Sequence, residues 1–98
     1  MIMTKLTTWI EVTDGAPELM LKKLAISKFG AERLLPVPET ETINIDGGLN
    51  DIRAVINTNE IRFFVRYERE VDWYTRLISA FVQENSECCR LMTRENTP

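Results

Sequence analysis

Arginine and aromatic side chains alternate near the middle of the chain, where Arg62, Phe64 and Arg66 stand two apart and Arg53 and Val55 repeat that spacing just upstream. In extended backbone such positions point to one side. Guanidinium groups grip carboxylates and phosphates through paired N–H donors and stack on rings, and aromatic groups add contact area. These are the residue types enriched where proteins meet. Trp9 joins the set if the first strand lies in the same sheet. The competing reading is a solvated face on which Phe64 stacks against Arg53, an ordinary surface stabiliser. The chemistry expected of Trp9, Arg53, Val55, Arg62, Phe64 and Arg66 is recognition of a partner.

Other chemistries are short of parts. The chain has no histidine, which excludes His-dependent triads, imidazole ligation of haem or zinc, and histidine pH switching. Its only cysteines, Cys88 and Cys89, are sequence neighbours, so their Cα atoms stand about 3.8 Å apart, too close for an ordinary disulfide. Two thiolates do not complete a zinc shell, and free thiols are expected in a reducing, cytoplasmic setting. Glu68, Glu70 and Asp72 cluster at a strand-to-helix junction, with no nucleophile or basic partner fixed beside them. The run Asp46-Gly47-Gly48-Leu49-Asn50-Asp51 lacks the alternating oxygen ligands and closing glutamate of a calcium loop and reads as a tight turn. Neither phosphate-binding nor dinucleotide glycine patterns occur. No catalytic residue, metal or cofactor is expected.

Ninety-eight residues, 44% hydrophobic and 28% charged, suit one domain over residues 1–98. No apolar run approaches the roughly 18 residues of a membrane span, and the first residues lack a basic-then-apolar leader, so a soluble, unexported protein is expected. A net charge of -3 argues against generic binding to nucleic acid or anionic membrane.

The elements that must position the arginines follow from periodicity. Lys5 to Val12 alternates as a strand, with Leu6, Thr8, Ile10 and Val12 on one side. A helix from Pro17 to about Gly30 buries Met20, Leu21, Leu24, Ala25 and Phe29; Leu19 and Ile26 on its far side are expected under the segment Leu34 to Pro38, the alternative being a small exposed apolar spot. Three meander strands follow, Thr42–Asp46, Asp51–Asn57 and Glu60–Glu68. A two-residue turn at Thr58-Asn59 sets Ile56 opposite Ile61, Val55 opposite Arg62, Ala54 opposite Phe63 and Arg53 opposite Phe64. Ile52, Ala54, Ile56, Ile61, Phe63, Val65 and Tyr67 then form the core face.

From Asp72, a good N-cap, a helical wheel gathers Trp73, Tyr74, Leu77, Ile78, Phe81, Val82, Cys88, Cys89, Leu91 and Met92 into one wide apolar arc, broken only by Glu84 and Asn85. The preferred reading is one helix of about 23 residues, about 35 Å long. The class is α+β, β-α-β-β-β-α, an antiparallel meander packed by two helices. Stopping the helix at the polar run Gln83 to Glu87 and adding a short strand over residues 88–94 gives instead a ferredoxin-like plan. A helix of 35 Å would overhang the sheet, so Cys88, Leu91 and Met92 are expected at the interface of a homodimer.

Arg62-Phe63-Phe64-Val65-Arg66-Tyr67 also resembles the longer strand motif of RNA-recognition domains, which implies a single-stranded nucleic-acid binder using the same sheet face. The motif's glycines are missing, and Phe63 and Tyr67 are needed for the core. The leading expectation is thus a non-catalytic protein-binding module, a small inhibitor, adaptor or regulatory subunit that uses this face and the long helix. Nucleic-acid binding stands second.

Overall fold

The computed structural model describes residues 2–94. The first strand forms in two pieces, β1 (Thr4–Lys5) and β2 (Thr8–Val12), and both pair with β6 (Glu60–Val65). Lys5 lies opposite Phe64 and Ile10 opposite Ile61, so five steps along the first strand match three along β6. The surplus is two residues at Leu6-Thr7, where the Leu6 N–H still reaches the Phe63 carbonyl at 3.0 Å. A surplus of one would exchange the two faces, whereas two restore the alternation. Leu6, Thr8, Ile10 and Val12 are accordingly all buried, as the alternation predicts.

Helix α1 (Pro17–Phe29) starts on proline, whose fixed φ suits a first helical position, and ends at Gly30, left-handed at φ 64°. It buries Met20, Leu21, Leu24 and Ala25. Leu19 and Ile26 remain 70% and 51% exposed, so the alternative of an exposed apolar spot holds and the cover preferred from Leu34 to Pro38 does not form. That segment leaves the helix and pairs at the sheet edge as β3 (Leu35–Pro36) against β4 (Ile43–Asn44). The meander strand expected over Thr42–Asp46 shrinks to β4, because the Asn44 and Asp46 side chains turn to the following loop. Asn44 Oδ1 accepts the N–H groups of Asp46 and Gly48, and the Asp46 carboxylate accepts those of Asn50 and Asp51.

Strands β5 (Ile52–Asn57) and β6 pair in the expected register across Thr58-Asn59. Strand β6 ends at Val65, three residues early. Tyr67 therefore leaves the core face and lies half-buried, with the Arg66 and Arg69 guanidinium groups 5.1 and 4.4 Å from its ring centre. A single 3-10 turn, Glu68–Glu70, leads into α2 (Val71–Glu84), so Asp72 sits inside the first turn rather than capping it.

The continuous terminal helix does not form. Helix α2 stops at Glu84, and Asn85 turns the chain: its buried amide Nδ2 donates to the Phe81 carbonyl at 2.8 Å, and its backbone oxygen accepts the N–H groups of Cys88 and Cys89. Strand β7 (Cys89–Thr93) then runs antiparallel to β2, with Trp9 opposite Met92 and Ile10 opposite Leu91. A 35 Å helix would exceed the longest axis of the molecule, 32 Å, while 14 residues span about 21 Å. The alternative, ferredoxin-like plan is the one the chain adopts. The sheet order is β3-β4-β5-β6-β2-β7, with β1 also on β6.

Both helices pack on one face of this sheet. The core joins Leu21 and Leu24 of α1 and Ile78 and Phe81 of α2 to Ile10, Ile52, Ile61, Phe63, Val65 and Cys89, all of one strand parity. Trp73, placed in the apolar arc by the wheel, is 54% exposed and sits edge-on to Tyr74, because the sheet meets only the Tyr74, Ile78, Phe81 and Val82 side of the helix.

Candidate interaction face of the sheet

The opposite parity forms the outer face, and it brings the expected residues together. Reading across the strands, Met92, Trp9, Arg62 and Val55 make one row, and Lys5, Phe64 and Arg53 make the next. Arg66 follows at the end of β6, with its guanidinium 4.0 Å from the Asp51 carboxylate. At the other end Arg90 pairs with Glu11 across β2 and β7.

Trp9 is the anchor of this face. It is only 5% exposed, yet it lies outside the hydrophobic core, which occupies the other side of the sheet. The Arg62 guanidinium covers it, 3.6 Å from the ring centre, in a cation–π stack. Arg62 is held there by Glu60, whose Oε1 accepts from Nε at 3.3 Å and Nη2 at 3.1 Å. The arginine–ring stack expected between Arg53 and Phe64 is found instead between Arg62 and Trp9. Arg53, opposite Phe64, instead donates its Nε–H to Asn50 Oδ1 at 2.8 Å. The Trp9 indole N–H is buried with no acceptor among the described residues, a state that costs about 1–3 kcal/mol.

The break in the first strand opens a hollow of about 330 Å³ beside Trp9, lined by Lys5, Leu6, Thr7, Trp9, Arg62 and Arg94. A second hollow of about 700 Å³ shares Lys5 and Arg62 and continues over Val55, Asn57 and Glu60 toward Glu41 in the β3–β4 connection. Sequence reasoning missed Lys5 and Arg94. Lys5 has the parity of Trp9, a usable signal, but a continuous terminal helix takes Arg94 away from the sheet, and Leu6-Thr7 contains no glycine or proline to mark the break.

The residues expected at a dimer interface do not share a surface. Cys88 and Leu91 lean on the core side, whereas Met92 points to the outer face opposite Trp9, since neighbours in a strand face opposite ways. The Cys89 thiol is buried and donates to the Asn85 carbonyl at 3.4 Å. Its pKa is raised by burial first and by Cys88 and Glu87 next, against a lowering by Lys23, so the thiol form is favoured. Glu68, Glu70 and Asp72 are spread over the 3-10 turn and the first turn of α2, and no group of three metal-binding side chains occurs among the described residues. Among the described residues, no helix is long and apolar enough to cross a membrane. No family model matches this chain, and neither does any curated protein or solved structure.

Proposed function

We propose that this chain is a non-catalytic binding module, an inhibitor, adaptor or regulatory subunit, that engages another protein through the outer face of its sheet. The reading rests on one observation above the others: neither helix packs on this face, and there Trp9, Arg53, Val55, Arg62, Phe64 and Arg66 stand in adjoining rows beside two hollows that share Lys5 and Arg62. A reducing, cytoplasmic setting, in which Cys88 and Cys89 stay free thiols, belongs to the same reading. The homodimer is left out of the proposal, because the overhanging helix end that motivated it is replaced by a strand paired to β2. Single-stranded nucleic acid is the weaker reading of the same face, since the ring on β2 that would stack on a base is already covered by Arg62.

The test is affinity capture with quantitative mass spectrometry, comparing the wild-type chain, the Arg53→Glu/Phe64→Ala variant and a Leu19→Ser control on the exposed side of α1. A stoichiometric protein partner should be retained by the wild type and the control and lost from the sheet-face variant. Retention by all three, or loss from the control alone, would move the interface off the sheet.

A further inference from the structure

We infer that the hollow at the break in the first strand receives a carboxylate-bearing segment, an Asp/Glu-rich stretch of the partner protein, held by Lys5, Arg62 and Arg94. This rests on the proposed binding role of the outer face and names the chemistry of what it binds. Charge is the first argument. Among the described residues the outer face carries Lys5, Arg53, Arg62, Arg66, Arg90 and Arg94 against the carboxylates of Glu11, Glu41, Asp51 and Glu60. A chain of net charge -3 therefore presents here a face with an excess of positive charge. Such asymmetry steers acidic partners to one side of the molecule.

Geometry narrows the seat. Lys5, Arg62 and Arg94 converge on the same 330 Å³ hollow. The Lys5 side chain has no hydrogen bond or ion pair among the described residues, so its ammonium is available to a ligand without breaking an internal contact. Arg62 is fixed in place by the Trp9 ring beneath it and by Glu60, which engages only its Nε and Nη2. A guanidinium so braced loses little freedom when its remaining N–H donors meet a carboxylate. The Trp9 ring beneath Arg62 lines the same hollow and so reports on what enters it. Nucleic acid fits less well, because the Trp9 ring that would stack on a base is shut beneath Arg62.

The two tryptophans make the experiment direct, since Trp9 lines the hollow and Trp73 stands exposed on α2. The whole chain, labelled with nitrogen-15, would be titrated with end-capped hexaglutamate, end-capped hexalysine and a charge-matched oligothymidylate while both indole N–H signals are followed. Hexaglutamate should shift the Trp9 signal saturably at roughly millimolar concentration and leave Trp73 in place, and hexalysine should do nothing. Lys5→Glu should weaken this binding about tenfold, and Arg94→Glu provides a second variant should the first disturb the fold. The inference is overturned if the Trp9 signal ignores hexaglutamate, if both charge reversals leave the affinity unchanged, or if oligothymidylate binds more tightly. Any of these results alongside capture that still depends on Arg53 and Phe64 would leave the module standing with a partner of different chemistry. Peptide binding without that dependence would do the reverse.

Discussion

Phe63 and Phe64 are neighbours in β6 with opposite surroundings: the first is fully buried among Ile61, Val65 and the helices, the second stands half-buried between Lys5 and Arg53 on the outer face. Phe63→Ala leaves a cavity in a close-packed core and should cost about 3–5 kcal/mol. Phe64→Ala opens no enclosed cavity and should cost about 1 kcal/mol. Urea unfolding of the two variants measures both; equal losses would contradict this register, and a larger loss from Phe64→Ala would show β6 shifted by one. This part of the site is legible in the amino-acid order alone, because a two-residue turn at Thr58-Asn59 fixes every pairing between β5 and β6. What alternation does not supply is the choice of partner for each arginine. Arg53 and Arg62 share the outer face, yet one turns to Asn50 and the other to Trp9 and Glu60, according to whether a loop amide or a ring lies within reach.

At the level of elements, the turn from α2 to β7 depends on Asn85. Its side chain receives a hydrogen bond from Lys23 Nζ at 2.6 Å and gives one to the Phe81 carbonyl, so one buried amide ends α2 and ties it to α1. Asn85→Ala removes both bonds and leaves the Lys23 ammonium without this partner, a loss expected at about 1–3 kcal/mol. Thermal unfolding checks it, and a change within error would mean that strand pairing alone sets the turn. The helix end is only half legible in the sequence. Glu84 and Asn85 are the two residues that spoil the apolar arc, and they mark where the helix stops. Beyond them Cys88, Cys89, Leu91 and Met92 satisfy a helical wheel and also a strand with apolar residues on both faces, so periodicity cannot separate the two. The open edge of β2 decides, since its N–H and C=O groups need partners that a helix does not offer.

For the whole molecule, the open question is how far its parts depend on one another, and Tyr74 reports on that. It is buried where α2 meets Phe29 of α1, and its phenol is pushed from 10.0 up to about 12, by burial first and then by the carboxylates of Glu70, Asp51 and Asp46. The folded state holds this proton more tightly than the unfolded chain does. The stabilisation is therefore complete below pH 10 and disappears as pH climbs through about 12. Denaturant midpoints should fall across that window, and Tyr74→Phe should flatten the fall; an unchanged slope would assign the alkaline loss to other groups. A second expectation at this scale concerns assembly. With no helix overhanging the sheet, sedimentation equilibrium should return 11.4 kDa over a range of concentrations, and a mass rising toward twice that value would show a second copy bound.

The two surplus residues at Leu6-Thr7 also limit how this chain can change in length. Residues along a strand behave like a two-letter code read in phase, one letter for the core and one for the outer face. Loss of Leu6 and Thr7 together would set Thr8 opposite Phe63 and keep Trp9 beside Arg62, so the phase survives, although a buried leucine and the hollow do not. Loss of either one alone would turn Lys5 and Thr4 over relative to β6, sending an ammonium toward the core and drawing it away from the arginines. Drift in this segment is thus quantised in steps of two, and the hollow is a by-product of the only kind of insertion that leaves both faces in register.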